Sequence, residues 1–184
     1  PEFKKDEPNI VFLGCSHTVG VGINLTDTFS HCVSQALGLQ NYNLGKGGSS
    51  NQTAFRLGLH WIPKLKPKIV VLMSPDSSRS EIISGNHAIN LGVHSSRDQP
   101  DLWPCIKARI RDEQNLTLDA LAHQMALEKI STDVGAQFFK FESASDLKVS
   151  DQTTELDLGR DLLHPGRLTH KRTAAHILAK IQKV

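Results

Sequence analysis

Ile69–Met73 reads IVVLM, five consecutive apolar residues of which three are β-branched. A run of that kind is a strand buried on both faces, as in the interior of a parallel sheet. Upstream, Asn9–Leu13 (NIVFL) repeats the pattern and ends at Gly14. Between the two runs, Phe29, Cys32, Val33, Ala36 and Leu37 recur at helical spacing over Thr26–Leu37, with Gly38 placed to stop the helix. Gln40–Leu44 reads as a second short strand and runs into the loop Gly45-Lys46-Gly47-Gly48-Ser49-Ser50. Asn51 is placed to cap the next helix, whose apolar bulk comes from Ala54, Leu57, Leu59, Trp61, Ile62 and Leu65 before Pro67. Further on, Leu116–Ile130 reads as helix, Ala136–Phe141 as strand and Arg167–Ile181 as the closing helix. Strands alternating with helices at this spacing predict a parallel sheet covered on both faces.

The pattern breaks from Ser74 to about Asn115, where Pro75, Gly85, Asn86, Gly92, Pro100 and Pro104 are turn residues. This stretch reads as a long excursion, with a short helix around Trp103–Arg111 and a strand near Ile89–Val93. Residues 4–184 are expected to form one domain with an irregular insertion around 80–115. Pro1-Glu2-Phe3 reads as a cloning scar, because Glu-Phe is what a GAATTC restriction site encodes in frame.

Composition narrows the function. Of the 184 residues, 39% are hydrophobic and 22% charged, an ordinary globular balance. Lys plus Arg number 21 against 19 Asp plus Glu, so no field of one sign exists to hold nucleic acid. No apolar run approaches the ~18 residues a membrane span requires, and no membrane partner is expected. Cys15, Cys32 and Cys105 are odd in number and widely spaced, which argues against a disulfide framework or a zinc site. A reducing, cytoplasmic setting is the expectation. Oligomeric state is not legible.

Ligands of open parallel sheets bind where the loops gather at the carboxyl ends of the strands. The first strand delivers Gly14-Cys15-Ser16-His17-Thr18, the second Gly45–Ser50, and the third Ser74-Pro75-Asp76-Ser77-Ser78. Asp161-Leu162-Leu163-His164-Pro165 precedes the last helix. A serine, a glycine-rich loop and an Asp three residues before a His are the parts needed for acyl transfer. The Ser16 hydroxyl needs a base, which His164 supplies near neutral pH, and Asp161 orients the imidazole. The N–H groups of Ser16 and Gly48 are candidate oxyanion donors, glycine at 47 and 48 letting the backbone approach closely. His17 is a candidate substrate contact or a competing base, and Cys15 is expected to point into the core. The 45–50 loop lacks P-loop spacing, since Gly47 rather than Ser or Thr follows Lys46.

Three blocks resemble the SGNH (GDSL-type) hydrolases. Ile10–Gly20 (IVFLGCSHTVG) is similar to the first block and places the nucleophile at Ser16. Tyr42–Asn51 (YNLGKGGSSN) is similar to the second, with its oxyanion glycine at Gly48. Arg160–Gly166 (RDLLHPG) is similar to the DxxHP block, with the acid at Asp161 and the base at His164. The resemblance implies a flavodoxin-like three-layer α/β/α fold on a parallel sheet of four to five strands. It also implies hydrolysis of a carboxylic ester, on a small molecule or a glycan, without cofactor or metal.

Two positions depart from the family pattern. Cys15 stands where GDS has its aspartate. Ser74-Pro75-Asp76-Ser77 stands where the third block, GxND, supplies an oxyanion-binding Asn. An ionised Asp76 only accepts hydrogen bonds. Ser77, Ser78 or the Asn51 amide are the candidate replacements for the lost donor, and Asp76 and Arg79 are candidate substrate contacts. Arg79 and Glu81 are spaced to pair and hold this loop. The competing readings are a binding module on the same fold and an acyltransferase using the same triad. The literal string Ser84-Gly85-Asn86-His87 is coincidence, because the family's four letters come from separate blocks.

Overall fold

The layers of the molecule follow from the first strand, β1 (Asn9–Leu13), where Ile10 and Phe12 face one side, Val11 and Leu13 the other, and all four are fully buried. The computed structural model describes residues 7–85, 87–92, 113–142 and 157–183. After β1 come α1 (Ser16–Val19), α2 (Phe29–Leu37), β2 (Gln40–Asn43), α3 (Asn51–Leu65) and β3 (Ile69–Ser74). The described chain continues with β4 (Ser80–Ser84), β5 (His87–Leu91), α4 (Glu113–Asp133), β6 (Gln137–Glu142) and α5 (Arg167–Ile181).

Four strands form a parallel sheet in the order β2-β1-β3-β6. On one face Ile10, Phe12, Val71 and Met73 pack against Phe29 and Val33 of α2 and Ala174 and Ile177 of α5. On the other, Val11, Leu13, Val70 and Leu72 pack against Ala54 and Ile62 of α3 and Leu127 of α4. Each fully buried side chain of this size contributes about 1.5–3 kcal/mol relative to exposure. The chain leaves β1 for β2 on one side and then crosses back to β3 on the other. The carboxyl edge beside β1 is therefore a switch point where loops diverge and leave a crevice.

Some boundaries differ from the sequence reading. The helix expected over Thr26–Leu37 is a separate 3₁₀ turn, Leu25–Asp27, followed by α2, because the Thr28 hydroxyl caps α2 by accepting the His31 N–H at 3.2 Å. Ser50, not Asn51, caps α3: its hydroxyl accepts the Thr53 N–H at 3.3 Å, and the Thr53 hydroxyl accepts the Ser50 N–H at 3.4 Å. The strand expected near Ile89–Val93 is β5, and it forms an antiparallel hairpin with β4, a strand within the stretch expected to be irregular. Ser84 and His87 are the last paired residues of that hairpin. The helix expected around Trp103–Arg111 lies outside the described residues. No helix among the described residues is long and apolar enough to cross a membrane.

Candidate active site

Gly14 makes the turn from β1 into α1. Its φ is +152°, and a Cβ there would lie 2.2 Å from Thr18 Oγ1 and 2.6 Å from the Met73 carbonyl oxygen, so only glycine fits. The turn buries Cys15, as expected, and presents Ser16 half-buried as the first residue of α1. The Cys15 carbonyl accepts the N–H groups of Thr18 and Val19, while the Ser16 N–H has no partner among the described residues.

The second loop hangs on the first. The Gly14 carbonyl accepts the Lys46 N–H at 3.0 Å and the Ser49 hydroxyl at 2.9 Å. Asn43 ties both loops together, donating from Nδ2 to the Thr18 carbonyl at 2.6 Å and accepting the Gly45 N–H on Oδ1 at 3.0 Å. Gly48 lies exposed at φ +68° with its N–H unpartnered among the described residues. No protein atom lies within 4 Å of where a Cβ on Gly47 or Gly48 would sit. Close protein packing is therefore not what these two glycines serve; the left-handed backbone at Gly48 is.

The segment before α5 is built around Asp161. Its Oδ1 accepts the N–H groups of Leu163 at 3.3 Å and His164 at 3.2 Å, and its Oδ2 accepts from His164 Nδ1. That arrangement leaves Nε2 as the basic nitrogen. The hydrogen bond from the His164 ring, followed by that from its backbone, holds the Asp161 carboxyl below its ordinary value. Gly22, at φ +83°, seats this segment: its carbonyl accepts the Arg160 N–H at 2.8 Å, and a Cβ on it would come 2.7 Å from Asp161 Oδ1. The His17 ring stands perpendicular to that of His164, with centroids 5.9 Å apart. Burial, then the charges of His164 and Arg79, push the His17 imidazole below its ordinary pKa. His17 is thus a neutral neighbour of His164. No hydrogen bond joins Ser16 Oγ to His164 here, and catalytic bonds of this kind commonly tighten only around substrate.

The third loop is differently employed. Asn51 is 4% exposed; its Nδ2 donates to the Pro75 carbonyl at 2.9 Å, and its Oδ1 accepts from Ser74 Oγ and Gln124 Nε2. Its amide ties β3 to α3 and α4, with one Nδ2 hydrogen bond given to Pro75. Asp76 is exposed and turned back on its own loop, accepting the Ser78 N–H at 2.8 Å; hydrogen bonds from Ser78 keep it ionised. Ser77 lines a cavity of about 400 Å³ between this loop, α4 and β6, none of whose lining residues belongs to the Ser16 or His164 segments. Glu81 does not pair with Arg79. It takes a two-point contact from Arg56, at 2.8 Å on each oxygen, and the Thr53 hydroxyl at 3.0 Å.

The structure therefore brings Ser16, His17, the Gly45–Ser49 loop, Asp161 and His164 to one place, and leaves Asn51 and Ser77 facing elsewhere. Gly22 and Asn43 were missed in the sequence. The signal for Gly22 was the doublet Gly20-Val21-Gly22 between strand and helix, while Asn43 looked like an ordinary residue of an edge strand. Among the described residues no group of three or more His, Cys, Asp and Glu side chains is disposed to hold a metal.

Neither a protein-family model nor a curated protein matches this sequence. Solved structures do. The chain is similar to TesA, with 9% identity and a TM-score of 0.52 over 95% of this chain and 98% of that one. It is similar also to a member of the lipolytic protein G-D-S-L family from Veillonella parvula DSM 2008, with 13% identity and a TM-score of 0.50 over 96% and 99% of the two chains. At these identities the likeness is one of fold: the chain has the three-layer α/β/α architecture of the SGNH hydrolases, on a sheet of four described parallel strands.

Proposed function

We propose that this chain is a serine esterase of the SGNH type, acting on a carboxylic ester of a small molecule or glycan. The observation that supports it most is the bond between Asp161 Oδ2 and His164 Nδ1, made beside the turn that presents Ser16. Ser16 Oγ attacks the carbonyl carbon while His164 Nε2 takes the hydroxyl proton. Asp161 fixes the tautomer and stabilises the imidazolium. The unpartnered N–H groups of Ser16 and Gly48 hold the oxyanion, two dipoles that need no reorganisation. Collapse expels the alcohol, which leaves with the proton from His164. Water then attacks the acyl-enzyme by the same route in reverse and frees the acid.

The third donor remains the weak point of the site. Loss of one oxyanion donor costs roughly 100- to 1000-fold in rate. Asp76 stays ionised, one of its oxygens accepting the Ser78 N–H, and supplies no donor to the oxyanion. A slow esterase is the expected phenotype unless Ser78 or the substrate itself completes the hole. The test is initial-rate hydrolysis of 4-nitrophenyl acetate by the wild type, Ser16→Ala and His164→Ala. Both variants should lose the large majority of the wild-type rate; a variant that keeps the wild-type rate overturns the assignment of its residue.

A further inference from the structure

Ser16 and His17 are consecutive on α1, a helix of only four residues that is anchored from below. Thr18 is fully buried, its carbonyl accepts Asn43 Nδ2 at 2.6 Å, and the Cys15 carbonyl accepts the N–H groups of Thr18 and Val19. Both side chains therefore stand on a fixed turn. The His17 ring meets the His164 ring at 89°, with centroids 5.9 Å apart. That separation lies in the range where edge-to-face rings attract. Through this contact the helix that carries Ser16 touches the base itself.

His164 has use for a second support. Asp161 grips it at one ring nitrogen and at the backbone N–H. A hydrogen bond at a single ring nitrogen leaves the plane of the imidazole free to tilt. The His164 side chain is 25% exposed, so packing does not confine it on every side. His17 is half-buried, and no carboxylate pairs with it among the described residues. The charged and titratable groups around it are His164, Arg79 of the loop after β3, and His170 of α5. Burial and the charges of His164 and Arg79 keep His17 neutral, which makes it the weaker base and spares the imidazolium on His164 a facing cation.

We propose that His17 is a positioning residue, whose ring braces the His164 imidazole and sets where its Nε2 meets the Ser16 hydroxyl. The catalytic consequence rests on the esterase reading; the ring contact does not.

The experiment separates the ring from its nitrogens. His17→Phe keeps an aromatic ring, His17→Gln keeps a polar group without one, and His17→Leu is a second ring-less variant suited to a half-buried position. On 4-nitrophenyl acetate His17→Phe should retain most of the wild-type kcat. The ring-less variants should lose about 10- to 100-fold in kcat with KM little changed, because a small misplacement of a catalytic group costs on that order. A loss in His17→Phe equal to theirs, or wild-type kcat in both ring-less variants, would overturn the role. Carbon-13 relaxation of the His164 ring reads the positioning without any substrate. The ring should be as ordered in His17→Phe as in the wild type and more mobile in His17→Gln and His17→Leu. If the wild type hydrolyses no ester while ring order follows this pattern, the brace stands and the esterase assignment falls. Unchanged ring order in the ring-less variants would overturn the proposal whatever the rates.

Discussion

Asp161 holds His164 by both of its oxygens, one on the ring nitrogen Nδ1 and the other on the backbone N–H at 3.2 Å. The imidazole is therefore oriented by a carboxylate that its own backbone keeps in place. Asp161→Asn preserves the size of the side chain but presents an amide, which no longer favours the tautomer with a basic Nε2. The expected outcome is a fall in kcat of about 10³- to 10⁴-fold with KM little changed. Steady-state kinetics on 4-nitrophenyl acetate, with circular dichroism to verify folding, checks it.

Gly22 and Gly48 both have positive φ, but only Gly22 is crowded. Gly22→Ala sets a methyl group 2.7 Å from Asp161 Oδ1 and must displace the acid or its loop. Gly48→Ala meets no protein atom within 4 Å, so it carries only the left-handed penalty of about 1–2 kcal/mol. Gly22→Ala should lose more activity than Gly48→Ala at comparable melting temperature. Equal activity in the two would contradict the seating role of Gly22.

His170 is 2% exposed, stacks on Phe29, and accepts the Phe29 N–H on Nδ1 at 3.1 Å. Burial, then the charge of His17, lowers its pKa to about 4, against an ordinary 6.5. Between those values the unfolded chain binds a proton that the folded chain refuses, so stability rises with pH through this window. The contribution is present above about pH 6.5 and lost as the pH falls toward 4, amounting to about 3 kcal/mol. His17 is shifted in the same direction and adds to the slope. Urea midpoints from pH 4 to 7 should rise steeply for the wild type and less so for His170→Gln; parallel curves would refute the assignment to His170.

The legible parts of this molecule were those whose physics is local. NIVFL and IVVLM are continuous apolar runs and became β1 and β3, and Arg167–Ile181, expected as the closing helix, is α5. Asp161 and His164 meet because they are three residues apart. β5 was expected near Ile89–Val93, but its partner β4 was missed, because in SEIIS Ser80 and Glu81 are buried while Ile82 and Ile83 are exposed. The partner of Glu81 proved to be Arg56, 25 residues upstream on another element, and Asn51 found Pro75 24 residues away. Such pairings depend on how the layers close, and spacing along the chain does not encode them.

The account's central claim is that Ser16 is a nucleophile activated by His164. Reaction with a fluorophosphonate probe, followed by peptide mapping by mass spectrometry, tests this without assuming a substrate. The expected result is one adduct on Ser16 that disappears in Ser16→Ala and in His164→Ala. An unlabelled, folded wild-type protein, or a label on Cys15, would contradict it.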